Sequence, residues 1–330
     1  MSSEPSGGPR ASEIPPDHLI ERLLAAMQSW KASDLFVTAG KRPAVRVGGA
    51  VVQPELPITV PKDLEQFLER ILTPKQRHHF DAMGDLDVSM SLPDGRRFRV
   101  NVARQRDLVT LVIRALPPGD LKFDELRLPE SIAEFARLRR GLVLVTGATG
   151  SGKSTTLAAI IHHINSTRQA HIVTIEDPIE FVHEDIQSRV TQREVGSDTA
   201  SFQSALKHVV RESPDVILIG ELRDHETMQV ALSAALTGHL VFATLHTIDA
   251  TQTLQRILSY FPEDARDQAA LDLSMSLQAV VSQRLLPRSD KKGRVVAVEM
   301  LRVSPAAARL IREQRVDEMG DLRYSWRKMR

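Results

Sequence analysis

The chain has 330 residues, room for one large domain or two ordinary ones, and 42% hydrophobic residues, enough to build real cores. Its 43 Lys and Arg against 42 Asp and Glu leave a net charge near +1, so no overall field favours nucleic acid or an anionic membrane. The absence of cysteine excludes disulfides, thiolate zinc sites and a cysteine nucleophile.

Residues 1–16 are polar and rich in Ser, Pro and Gly, and read as a disordered leader with no signal-peptide apolar core. Asp17 is placed to cap a helix in which Leu19, Ile20, Leu23, Leu24, Met27 and Trp30 recur at helical spacing. Short strand-like runs follow: DLFVT, PAVRV and, after the Gly48-Gly49 turn, VVQP. A helix is expected near 61–72, then DLDVSMSL, a Pro93-Asp94-Gly95 turn, RRFRVNVARQR and LVTLVIRAL. Residues 17–116 thus form a small α+β domain, closed by a linker over 117–121 that contains Pro117, Pro118 and Gly119.

The texture changes over 122–330. Four short apolar runs, LVLVT (142–146), HIVTI (171–175), DVILI (215–219) and LVFATL (240–245), alternate with helix-length segments at 153–165, 199–212 and 224–236. Uninterrupted apolar strands between helices predict an α/β domain with a parallel sheet covered on both faces. The longest low-charge run, Val230–Leu245, is broken by His239 and is too short to span a bilayer. Open sheets of this kind bind ligands beyond the carboxyl ends of their strands, so the residues after each run are the candidates.

After LVLVT comes GATGSGKST, which fits G-x-x-x-x-G-K-[ST] with a strand before it and a helix after. Gly147, Ala148, Thr149, Gly150, Ser151, Gly152, Lys153, Ser154 and Thr155 would cradle nucleotide phosphates with backbone N–H groups at a helix N-terminus. Lys153 would reach the β- and γ-phosphates of ATP, and the Ser154 hydroxyl would bind Mg²⁺. After HIVTI come Glu176, Asp177 and Glu180; after DVILI come Glu221, Arg223 and Asp224. A carboxylate at either place can polarise an attacking water or hold Mg²⁺ through water. Glu221, directly at the end of a buried strand, is the better general-base candidate, with Glu180 beside it. Two histidines bracket the fourth run. At about 3.3 Å per residue, His239 and His246 are roughly 23 Å apart on opposite faces, too far to share a metal ion. His246 falls at the ligand edge, where it can donate to the γ-phosphate; His239 falls at the far end.

Taken in order, GATGSGKSTT, IEDPIEFVH, DVILIGELRD and TGHLVFATLH resemble the Walker A motif, Asp box, Walker B motif and His box of the ATPase superfamily that powers type II secretion and type IV pili. The resemblance runs from SDLFVTAG to LIREQRVDEM. QREVGSDTASFQSAL, FPEDAR and SLQAVVSQRLLP are most similar to its pilus-retraction (twitching motility) group. Membership implies a PAS-like N-terminal domain, a RecA-like P-loop NTPase domain and a homohexameric ring. It implies catalytic roles for Glu180, Glu221, His239 and His246, and for Arg99 and Arg114, which would approach the γ-phosphate when the domains close. It also implies a cytoplasmic motor, peripheral to the inner membrane, working on a pilus platform protein beside a paralogous retraction ATPase. No nucleic acid is expected. Three alternatives stay open: a pilus-extension or secretion ATPase of the same superfamily, a DNA-translocating RecA-like ATPase, and a non-catalytic accessory subunit.

Overall fold

A computed structural model describes residues 19–117, 119–126, 128–288 and 294–327. The leader, the Asp17 cap and Pro118 of the expected linker lie outside the described residues. The chain divides into two compact units, residues 1–117 and 118–330.

In the first unit, α1 (Leu19–Ala26) buries Leu19, Ile20, Leu23 and Leu24. It stops short of Trp30. The Met27 N–H still bonds back to the Leu23 and Leu24 carbonyls, but Lys31 takes a positive φ of 54° and turns the chain into a strand. The elements β1 (Ala32–Thr38), β2 (Ala44–Val47), β3 (Ala50–Val52), α2 (Pro61–Ile71), α3 (Pro74–Met83), β4 (Asp85–Ser91), β5 (Arg97–Gln105) and β6 (Leu108–Ala115) follow. The six strands form one antiparallel sheet, ordered β3-β2-β1-β6-β5-β4. Alternation assigns its faces. Leu35, Val37, Val100, Val102, Leu111 and Ile113 pack with α1 and α2 in one core. Asp34, Arg99 and Arg114 fall on the opposite face, in register across β1, β6 and β5.

The helix α3 was not expected from sequence, because Phe80 is its only buried residue and no apolar stripe marks it. Its ends explain it. The Thr73 hydroxyl accepts the Gln76 N–H, the Gln76 side chain accepts the Thr73 N–H, Pro74 opens the helix, and Gly84 closes it at φ 83°.

The second unit opens with the short helices α4 (Phe123–Leu126) and α5 (Glu130–Ala133). It continues through β7 (Gly141–Thr146), α6 (Lys153–Thr167), β8 (His171–Glu176), β9 (Arg189–Glu194), α7 (Phe202–Val209), β10 (Val216–Ile219), α8 (His225–Leu236) and β11 (Leu240–Leu245). It ends with α9 (Ala250–Ser259), α10 (Arg266–Ser276), β12 (Leu277–Pro287), β13 (Arg294–Arg302), α11 (Pro305–Arg312) and β14 (Arg323–Arg327). Its eight-stranded sheet is ordered β14-β13-β12-β7-β11-β10-β8-β9. Six strands, β12 to β9 in that order, run parallel, while β13 and β14 pair antiparallel. The four apolar runs expected to form a parallel sheet do so, and the sheet extends beyond them, with β9 added at one edge and β12, β13 and β14 at the other, the last two pairing antiparallel. The helix expected over 199–212 is shorter, covering only Phe202–Val209.

Both faces of this sheet are covered. Leu142 and Leu144 of β7 join a core with α7 to α11, while Val143 and Val145 join one with α6. Burying each such side chain stabilises the fold by about 1.5–3 kcal/mol relative to exposure. The same parallel run brings the carboxyl ends of β7, β11, β10 and β8 to one edge.

Candidate active site

The loop from β7 into α6 is shaped by its glycines. Gly147 has φ 142°, and a Cβ there would stand 2.4 Å from the Gln283 carbonyl oxygen and 2.6 Å from Ser151 Oγ. Only glycine lets the loop pass that close to β12. Gly150 and Gly152 also have positive φ, with open space around the first, and Gly152 caps α6. The helix behind is fixed from β12, because Gln283 donates to Thr156 Oγ1 at 2.8 Å and Thr146 and Ser282 share a hydrogen bond at 2.9 Å.

Lys153 is buried. Its Nζ donates to the carbonyls of Gly147 (2.8 Å) and Ala148 (3.1 Å) and stands 3.5 Å from His246 Nδ1. Burial lowers the pKa of this ammonium, opposed by the charges of Glu221 and Glu180. The Ser151 hydroxyl is buried without a partner.

Facing this loop are the ends of β8, β10 and β11. Glu221 Oε1 is 3.2 Å from His246 Nε2, and Oε2 accepts the Arg223 Nε–H at 2.7 Å. The Lys153 ammonium faces His246 Nδ1, and His246 Nε2 faces Glu221. The result is a continuous polar chain: Arg223, Glu221, His246, Lys153. A cavity of about 300 Å³ lies between these groups, lined by Thr149, Gly150, Lys153 and Ser154 on one side and by Glu176, Asp177, Glu180, Glu221 and His246 on the other. Four carboxylates facing a lysine and a helix N-terminus suit a polyphosphate accompanied by a divalent cation. Among the described residues, no group of three or more His, Cys, Asp or Glu side chains could hold a metal ion unaided.

Of the residues singled out by sequence, the loop 147–155, Glu180, Glu221 and His246 come together here. His239 does not. It stands at the amino end of β11, where its Nδ1 lies 3.0 Å from the Ala234 carbonyl and its own carbonyl accepts the Gly141 N–H. Arg99 and Arg114 belong to the first unit. Arg114 Nε donates to the buried Asp34 at 2.8 Å, and Arg99 Nε lies 3.6 Å from Asp87. Burial alone would raise Asp34, but hydrogen bonds from Arg114 and Ser33, with the charges of Arg114 and Arg46, hold its carboxyl below the usual range.

Sequence reasoning named Glu176 only as one of three carboxylates after HIVTI and gave it no separate role. Burial pushes its carboxyl up to about 7, against hydrogen bonds from Thr174, Gln192 and the Glu180 N–H. Its partner strand β9 reads RVTQRE, too polar to be recognised by hydropathy.

Residues 14–328 match the family described as type II/IV secretion system protein. The type IV pilus ATPase PilU of Pseudomonas aeruginosa is 45% identical over 306 residues, 92% of this chain and 79% of that protein. The type IV pilus retraction ATPase PilT of the same organism is 45% identical over 300 residues, 91% of this chain and 87% of that protein. The crystal structure of the pilus retraction motor PilT with bound ADP matches with a TM-score of 0.87 at 44% identity, covering 92% of this chain and 88% of that one.

Proposed function

As the chain belongs to the type II/IV secretion system protein family, we propose that it is a P-loop ATPase motor that retracts a type IV pilus, working as a homohexamer. The observation that carries this reading is the convergence of four parallel strand ends on one cavity, with the loop 147–155 on one wall and Glu180, Glu221 and His246 on the other. The names of its relatives supply the pilus.

The chemistry asks for positioning and charge stabilisation more than covalent help. Backbone N–H groups of residues 147–155 and the N-terminus of α6 bind the β- and γ-phosphates. Lys153, now bonded to the Gly147 and Ala148 carbonyls, exchanges them for phosphate oxygens. A divalent cation accompanying ATP would be held by the Ser154 hydroxyl, with Glu180 or Glu221 acting through water, and would supply neutralisation of phosphate charge. Glu221, oriented by Arg223 and His246, takes the proton of the attacking water. His246 donates to the transferring phosphoryl group from the same edge. Arg99 and Arg114 of the first unit supply further positive charge for the reaction, and His239 acts at the far end of β11, towards a neighbouring subunit.

The motor works in the cytoplasm against a platform protein at the inner membrane, beside a paralogous retraction ATPase. Among the described residues no helix is long and apolar enough to cross a membrane. Orthophosphate release from ATP by the purified chain, with Glu221→Gln as control, tests the reading. Turnover in the wild type and none in the variant supports it; equal rates remove Glu221 as the base.

A further inference from the structure

The sequence stretch QREVG, singled out above only as a likeness, lies at the end of β9 and the start of the turn after it. Its partners are specific. Gln192 and Glu194 are two residues apart on a strand, so they share a face, and they sit in register beside Thr174 and Glu176 of β8. The loop joining β8 to β9 folds back over that face and carries Asp177 and Glu180 into the nucleotide cavity.

Gln192 binds this loop as a neighbouring strand would. Its Nε2 donates to the Phe181 carbonyl at 2.9 Å, and its Oε1 accepts the His183 N–H at 2.8 Å. The second proton on Nε2 goes to Glu176 Oε1 at 3.1 Å, and Thr174 also donates to that oxygen, at 2.7 Å. Glu176 in turn accepts the Glu180 N–H. Glu194, 5% exposed, accepts the Ile179 N–H at 3.1 Å. Backbone groups of residues 179, 180, 181 and 183 are therefore all held by side chains of β8 and β9. Glu180 lies in the middle of that span.

We propose that Gln192, Glu194 and Glu176 are positioning residues that fix the Glu180 carboxylate against the nucleotide, so that the edge strand β9 sets the geometry of the phosphate site without touching it. This rests on the ATPase reading above. Breaking this clamp leaves loop N–H groups such as that of Ile179 without their partner and changes where a carboxylate meets the nucleotide. Losing an outer partner of a metal-holding carboxylate typically lowers metal affinity or activity about 10- to 100-fold.

The test compares the full-length wild type with Gln192→Leu, Glu194→Leu and Glu194→Gln. The last keeps an acceptor for the Ile179 N–H and serves as the conservative rescue. The measurements are kcat, KM for ATP, the Mg²⁺ concentration for half-maximal turnover, ADP affinity without metal, and amide hydrogen exchange. In both leucine variants kcat falls about 10- to 100-fold and the Mg²⁺ requirement rises. ADP affinity stays within about 2-fold of wild type, because the loop 147–155 is untouched. Exchange speeds up over 177–183 and not over 147–155. Glu194→Gln lies near wild type. Two results overturn the proposal: leucine variants with unchanged kcat, Mg²⁺ requirement and exchange, or losses that extend equally to ADP affinity and to exchange throughout the second unit, which mark general loosening. A wild type that never turns over ATP defeats the ATPase reading instead. In that case exchange confined to 177–183 still marks the clamp, and unchanged exchange still removes it.

Discussion

Glu221 touches both a guanidinium and an imidazole, and those two contacts leave its carboxylate little freedom of orientation. Glu221→Gln preserves shape and one of the two acceptor oxygens but cannot take a proton, so kcat should fall by about 10² to 10⁴ while ATP binding survives. Lys153→Ala should act on binding itself and raise the nucleotide dissociation constant, measured by titration with a fluorescent ATP analogue. Asp34 offers a check of another kind. Its carboxyl is held below the usual aspartate value in the folded state, so its contribution to stability is full above about pH 4 and disappears as pH falls through the folded pKa. Asp34→Asn leaves Arg46 and Arg114 without their shared counter-charge. Chemical unfolding should show a loss of about 1–3 kcal/mol at pH 7, and the gap between variant and wild type should shrink below pH 4.

At the scale of elements, what was readable depended on what each segment buries. The strands β7, β8, β10 and β11 are apolar runs because both faces of the sheet are covered, and the polar residues ending each run are those now lining the cavity. β9 could not, because an edge strand whose side chains bond to a loop has no hydropathy signature. The antiparallel extension of β13 and β14 escaped for a different reason: strand direction is decided by tertiary pairing, not by local pattern. α3 was missed where period was the only criterion, although Thr73-Pro74, Gln76 and Gly84 spell out a start and a stop. The histidines divided as their spacing on one strand required, one at each end of β11. The backbone of the phosphate loop makes its own prediction. Gly147→Ala places a methyl against the Gln283 carbonyl at a positive φ, so it should cost about 1–3 kcal/mol and weaken nucleotide binding with it. Thermal unfolding with and without ADP checks both effects.

At the scale of the molecule, the chain is two units with separate cores, one carrying the candidate nucleotide cavity and the other Arg99 and Arg114 in register on its sheet. The likeness to type IV pilus ATPases, a retraction motor among them, holds across more than nine-tenths of the chain, which is why the sequence motifs and the fold point to the same family. A retraction motor predicts that deleting its gene leaves abundant pili that no longer shorten; loss of pili would indicate an extension motor. DNA that stimulates ATP turnover in a salt-dependent way would favour a translocase. The account rests on ATP hydrolysis at the Glu221 edge of the cavity. Its most direct test is orthophosphate release by the purified oligomer with ATP and Mg²⁺, wild type beside Glu221→Gln. The account predicts steady turnover in the first, and in the second ATP bound but unhydrolysed. A wild-type oligomer that binds ATP and never releases phosphate would contradict it and leave the chain a non-catalytic partner of another motor.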